Sequence, residues 1–257
     1  MMIHRRWVVL PLVALLGALG PILSLAQRGR GGRGPNAALF ERLYDSEGPE
    51  TEFAIARWYS DGWQSDGWYH DYPDSEEHIL QIMKEVSLVN TNRSSYKVVD
   101  LASPEIFRYP FAYVSHPGEL DPSDAEIDNL REYVERGGFI MMDDFGGQDQ
   151  GPWEFQAFLD LVHRAFPDRD PYELTDRHHI LEISYVIDSI QMVHPMSGAK
   201  SVFYGFNDSK GRLAMVICYA NDIGDYWEFI DQPRYAVKPS AEALKLGVNI
   251  ALYSMTH

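Results

Sequence analysis

The sequence holds a single cysteine in 257 residues, Cys218. An intramolecular disulfide is therefore excluded, and stability must come from packing. Positive charge is also scarce: 22 Lys and Arg stand against 38 Asp and Glu, a formal net charge of −16. Nucleic-acid affinity comes mainly from cationic contacts to phosphate, so this balance argues against such a partner and is compatible with cation binding. No repeat of solenoid length occurs, and the echo Asp61-Gly62-Trp63-Gln64-Ser65-Asp66-Gly67-Trp68 is too short to be one. G-x-S-x-G, an EF-hand loop and H-E-x-x-H are absent as well, which removes three familiar signatures of nucleophilic or metal chemistry.

What is present begins with a targeting pattern. His4, Arg5 and Arg6 form a basic start, Trp7 to Leu25 is almost wholly apolar, and Ser24-Leu25-Ala26 fits a small-x-small cleavage site. Residues 1–26 are therefore expected to be a signal peptide, with export to the periplasm or beyond. An uncleaved anchor is the alternative, because the apolar stretch is near bilayer-spanning length; Pro11, Gly17, Gly20 and Pro21 interrupt it. Residues 27–48 open with a Gly/Arg-rich run that lacks apolar residues and reads as a flexible linker. Residues 49–257 suit one α/β domain with a sizeable core.

Periodicity divides that domain. Glu52–Trp58, Lys97–Leu101, Pro110–Val114 and Phe139–Met142 read as buried strands. Helical spacing marks Asp74 to Val86, the segment from Ser123 to the Gly137-Gly138 stop, Trp153–Phe166 and Ser240–Tyr253. Ser123 and Glu126 form a capping box. Ile180–Ile187 and Ser201–Phe206 are further expected strands, and the turn Asn207–Gly211 leads into Leu213–Tyr219 as a hairpin. Asn221–Glu228 reads as a loop, and His194-Pro195 as a turn. Alternating strands and helices followed by a hairpin predict a mostly parallel sheet with helices on both faces, in three layers, plus an antiparallel extension.

Several short motifs stand in order along the domain: Phe53…Arg57-Trp58, Asp66-Gly67-Trp68 with Asp71-Tyr72-Pro73, Phe107-Arg108-Tyr109-Pro110, Leu130-Arg131-Glu132-Tyr133, Gly137-Gly138-Phe139, Asp143-Asp144-Phe145-Gly146, Asn221-Asp222…Gly224-Asp225…Trp227-Glu228 and Leu246-Gly247-Val248-Asn249-Ile250. Together they resemble domain-of-unknown-function family 4159. The resemblance implies a fold similar to class I glutamine amidotransferases, flavodoxin-like in its layering, in an exported or membrane-anchored bacterial protein. It carries no established activity. His178-His179-Ile180-Leu181 departs from the His-Pro-Ile-Phe usual in relatives, so the turn there is expected to differ.

Amidotransferase chemistry needs a cysteine on a tight glycine-flanked elbow with a histidine beside it. Cys218 lies inside an apolar run between Ile217 and Tyr219, so glutamine hydrolysis is rejected. The acids are the better candidates. Asp61, Asp66, Asp143, Asp144, Asp222 and Asp225 follow expected strands, as does His116. Open α/β sheets bind ligands outside the carboxyl ends of their strands. Clustered carboxylates there need compensation by an arginine, such as Arg57 or Arg108, or by a divalent cation such as Ca²⁺ or Mg²⁺. Trp63, Trp68, Trp153 and Trp227 accompany them and either stack on a ligand or pack under the loops. The ligand-site candidates are thus Arg57, Asp61, Trp63, Asp66, Trp68, His116, Asp143, Asp144, Asp222, Asp225 and Trp227. The leading expectation is a non-catalytic domain that binds a small ligand or an envelope protein, with membrane contact only through residues 1–26. The alternatives are a metal-assisted hydrolase of envelope carbohydrate or ester, with Asp143, Asp144, Asp222 and Asp225 on the metal and His116 as acid or base, and an envelope-assembly component.

Overall fold

The computed structural model of the chain describes residue 48 and residues 50–146, 151–191 and 200–257. The expected signal peptide, residues 27–47 of the linker and the His194-Pro195 turn lie outside the described residues. Seven strands form one mixed sheet: β1 (Ile55–Tyr59), β2 (Tyr96–Asp100), β3 (Phe111–Ser115), β4 (Phe139–Asp143), β5 (Tyr172–Glu173), β6 (Val202–Asn207) and β7 (Leu213–Tyr219). Their order across the sheet is β2-β1-β3-β4-β7-β6-β5. The first five in that order are mutually parallel, while β6 runs antiparallel to both β7 and β5.

Among the described residues five α-helices accompany the sheet: α1 (Asp74–Val86), α2 (Asp124–Glu135), α3 (Gly151–Ala165), α4 (Ile223–Glu228) and α5 (Val237–Thr256). Because side chains alternate along a strand, successive residues feed two cores. Ile55, Phe111, Tyr113, Phe139 and Met141 pack with Ile79 and Met83 of α1 and Leu246 and Ile250 of α5. Ala56, Trp58, Val114, Ile140 and Met142 pack with Leu130 and Val134 of α2 and Phe158 and Val162 of α3. Full burial of one such side chain stabilises by about 1.5–3 kcal/mol, so these faces hold the sheet in register. Among the described residues no helix is long and apolar enough to cross a membrane.

The helix start at Ser123 forms as its sequence predicts. The Glu126 carboxylate reaches back to the Ser123 N–H at 2.8 Å and to its hydroxyl at 2.6 Å. Two expectations need correction. Ile180–Ile187 is not a strand: the His178 ring accepts the Ile180 N–H at 3.2 Å and starts a 3₁₀ turn, His179–Glu182. The segment then lies against α5, where Asn249 Oδ1 accepts the N–H groups of Ser184 and Tyr185 at 3.1 and 2.9 Å. Its backbone is thus satisfied by one buried amide in place of a neighbouring strand. Asn221–Glu228 is not wholly a loop either. Asp222 accepts the Asp225 N–H at 2.9 Å and caps α4.

Candidate metal centre

The parallel strands β1, β3, β4 and β7 send their carboxyl ends to the same edge. The chain leaves three of them through left-handed backbone at the next residue: His116 after β3 (φ 47°), Asp144 after β4 (φ 56°) and Ala220 after β7 (φ 54°). Asp71, in the connection after β1, has φ 61°. Among the described residues these are the only non-glycine positions of that kind. Each conformation costs about 1 kcal/mol or more, and such strain collects where side chains must be aimed.

The aim converges. The His116 Nε2 lies 2.7 Å from Asp144 Oδ2, and His70 Nδ1 lies 3.2 Å from the same oxygen. The two rings meet at 2.9 Å, Nε2 to Nδ1, and cross nearly perpendicularly at 87°. Asp144 is buried, whereas the His70 side chain is 55% exposed. Burial alone would raise the Asp144 pKa, but hydrogen bonds from His116 and His70 hold it below the usual carboxylate range. Burial likewise opposes protonation of His116, yet Asp144 outweighs it and the imidazole pKa is raised. On the far side of His116, Nδ1 stands 3.9 Å from Glu154 Oε1. Glu154 is fully buried near the start of α3, its other oxygen accepts the Gly146 N–H at 2.5 Å, and burial raises its pKa.

Further carboxylates adjoin this triad. Asp71, Asp144 and Asp222 present oxygens within 4.8 Å of one another. Burial, reinforced by Asp144, raises the pKa of both Asp71 and Asp222 well above the ordinary range. Asp143, one residue before Asp144, is anchored beneath: its Oδ2 accepts the Tyr113 hydroxyl and the Gly224 N–H, each at 2.8 Å. Burial pushes the Asp143 pKa up to about 6. Asp225 accepts the Tyr235 hydroxyl at 2.5 Å, and groups with Asp71 and Glu228. Five of the nine sealed side-chain polar atoms lacking a hydrogen bond among the described residues stand here: Asp71 Oδ2, Asp143 Oδ1, His116 Nδ1, Glu154 Oε1 and Asn221 Nδ2. Buried polar atoms are normally paired, so their concentration at one edge marks it as a candidate site.

Two glycines allow the loops to close. A Cβ on Gly67 would fall 2.7 Å from the His116 Cβ, so only glycine lets the loop after β1 cross His116. A Cβ on Gly224 would stand 2.2 Å from Asp71 Oδ2 and 2.4 Å from the Tyr113 hydroxyl. Arg57, at the centre of β1, ties that same loop down. Its Nε donates to Glu76 at 2.6 Å, Nη1 to the carbonyls of Trp68 and His70 at 3.3 and 3.2 Å, and Nη2 to Ser75 at 3.3 Å. The guanidinium also covers the Tyr113 ring at 4.2 Å. It therefore positions His70 and Asp71, and its charge offsets part of the Asp71 carboxylate's.

The remaining candidates take other places. Asp61 is exposed and accepts the Tyr59 hydroxyl at 2.7 Å. Asp66 is half-buried at the entry to the 3₁₀ turn Gly67–Tyr69, without a side-chain cap. Trp68 is buried against Tyr59, Tyr69 and Tyr72. Trp227 is buried too, donating its indole N–H to the Ala243 carbonyl at 3.0 Å and packing on Tyr113. Trp63 is half-buried under the loops. Cys218 is fully buried inside β7, where burial pushes its thiol pKa up.

His70, Asp71 and Glu154 were not among the sequence candidates. For Glu154 a signal existed: with Phe158, Leu161, Val162 and Ala165 it occupies the apolar stripe of α3, where a carboxylate has no packing reason to be.

The donor set fits a divalent cation. The His70, His116 and Asp144 atoms form a triangle with sides of 2.7, 2.9 and 3.2 Å. Ligand atoms around tetrahedral zinc stand about 3.3 Å apart, so a small outward movement would admit an ion. Glu154 stands behind His116, on the side where a carboxylate commonly orients a metal-bound imidazole, at 3.9 Å and without a hydrogen bond.

No curated protein matches the chain. One family model does, over residues 54–255, a span that takes in every described strand and nearly all of the described helices. This chain belongs to the family described as Domain of unknown function (DUF4159).

Proposed function

We propose that this chain is an exported domain that binds a divalent cation at the strand edge, through His70, His116 and Asp144, and uses that centre to hold an oxygen-bearing ligand. The observation that carries the reading is the convergence of two imidazoles on one buried carboxylate, amid further buried acids. Three protein ligands with one histidine open to solvent leave a coordination position for water or ligand. The export half of the proposal rests on the basic, apolar and small-x-small order of residues 1–26.

A second reading, metal-assisted hydrolysis, draws support from Glu154. At 3.9 Å from His116 Nδ1 it makes no hydrogen bond, but its charge favours the proton on that nitrogen while Nε2 serves the cation. When bound, the cation would lower the pKa of an attached water toward neutrality. Glutamine hydrolysis stays excluded by the mid-strand, buried position of Cys218. We also read the order β2-β1-β3-β4-β7 as flavodoxin-like and three-layered, in keeping with an amidotransferase-like ancestry whose nucleophile is gone.

Thermal unfolding of the metal-stripped chain tests the proposal. At a Zn²⁺ concentration of about 100 Kd, binding to the folded state contributes about 2.7 kcal/mol, or a rise of roughly 5–10 °C for a domain of this size. The rise should vanish in Asp144→Asn. An unchanged midpoint with Zn²⁺, Mn²⁺, Ca²⁺ and Mg²⁺ alike would remove the reading.

A further inference from the structure

Building on the cation-binding reading, we infer that the strand edge holds two cations, with Asp144 as the carboxylate they share. Two ligand groups meet at this residue. One is His70, His116 and Asp144; the other is Asp71, Asp144 and Asp222, with all three oxygens within 4.8 Å. The contacts of Asp144 divide accordingly: His116, His70 and Ser115 all meet Oδ2, at 2.7, 3.2 and 3.4 Å, and none of these bonds falls on Oδ1. A carboxylate that belongs to both groups and gathers these three contacts on one oxygen has the form of a bridging ligand.

The second group is more than a set of acids. Asp71 Oδ2 is sealed from solvent and receives no hydrogen bond, although the residue holds a left-handed backbone that delivers it there. Gly224 lies so close to that oxygen that no side chain would fit, so the carboxylate is walled in. Arg57 directs its hydrogen bonds to Glu76, Ser75 and two carbonyls, and its charge offsets that of Asp71 only in part. One cation on the histidine side would leave Asp222 facing Asp71 with no cation of its own. A second cation answers both facts.

The two positions differ in chemistry. Two imidazoles and a carboxylate suit Zn²⁺, whereas three carboxylates suit a hard ion such as Mn²⁺, Mg²⁺ or Ca²⁺. Paired cations of this kind grip an anionic oxygen between them, which narrows the ligand class to phosphate or carboxylate esters and their acids.

Metal stoichiometry decides the matter. The stripped full-length chain is given one equivalent of Zn²⁺ and an excess of Mn²⁺, desalted, and analysed for both elements. The expected content is one Zn and one Mn per chain. His70→Ala, at a half-exposed position, should lose Zn and keep Mn. Asp222→Asn, which relieves repulsion and preserves shape, should lose Mn and keep Zn. Asp144→Asn should lose both. A wild-type total that never exceeds one metal per chain overturns the second site and leaves the single-cation reading standing. A total of zero overturns both. Circular dichroism of each variant shows whether a lost metal reflects lost folding, in which case Asp71→Asn replaces Asp222→Asn in the comparison.

Discussion

Replacing Glu76 with leucine should be among the most damaging single changes in the molecule. Arg57 and Glu76 form an ion pair at 2.6 Å with exposures of 0% and 2%, so neither charge has water to fall back on. Burial would lower the Arg57 pKa, yet Glu76 and Tyr113 hold it above the ordinary arginine value. In Glu76→Leu the guanidinium keeps two carbonyls and one hydroxyl but loses its hydrogen-bonded counter-charge, with only the weaker influence of Asp71 left. Stranding one partner of a buried pair costs about 3–5 kcal/mol, which in a domain of this size lowers the melting temperature by roughly 6–20 °C. The double variant Arg57→Met/Glu76→Leu should recover at least half of that loss, because an apolar pair of similar volume needs no compensation. Stability and function should then separate. The double variant no longer ties down the Trp68 and His70 carbonyls, so its Zn²⁺ affinity should remain at least tenfold weaker while its melting temperature returns. Urea and thermal denaturation followed by circular dichroism, with calorimetric Zn²⁺ titration of the same samples, give both numbers. A Glu76→Leu loss below about 1 kcal/mol, or a double variant no more stable than the single, would refute the reasoning.

Other expectations follow from the same geometry. The Cys218 thiol, enclosed in β7, should not react with an aromatic disulfide reagent in native buffer, and should react stoichiometrically in 6 M guanidinium on the order expected for a free thiol. Fast labelling of the folded chain would contradict the placement. The pH dependence has a defined sign in the presence of a chelator. Asp143 titrates at about 6 in the fold against its ordinary 3.8, and Asp71 and Asp222 are displaced the same way, so the folded state binds more protons than the unfolded one across that window. Cation-free chain should therefore gain stability as pH falls from 7 toward 4, by about 3 kcal/mol from Asp143 alone, and lose it as pH rises. Asp144, displaced downward, works in the opposite direction only at pH below its ordinary value. Melting curves from pH 4 to 8 that rise steadily with pH would be inconsistent with these assignments.

The strands were legible because each is a short apolar run ended by turn formers, as in Phe139–Met142 before Asp143. The same runs located Asp143 and Asp144, since acids at the end of a buried parallel strand must emerge at its carboxyl end. Ile180–Ile187 defeated that logic. A short apolar run fits a buried irregular segment as well as a strand, and the deciding partner, Asn249, lies more than sixty residues away. β5 spans two residues and leaves no periodic trace. His70 was hidden for a related reason. Nothing around it in sequence is periodic, and its place over His116 depends on the Arg57 clamp and on the close approach at Gly67. The aromatic candidates resolved toward packing at Trp68 and Trp227, whose rings are buried under the loops they were expected to decorate.

Equilibrium dialysis of the stripped chain against Zn²⁺ puts the central claim to its most direct test. The arrangement of His70, His116 and Asp144 predicts saturable uptake by the wild-type protein and none above background in folded Asp144→Asn. Equal uptake by the two, or none by either at millimolar Zn²⁺, would contradict it.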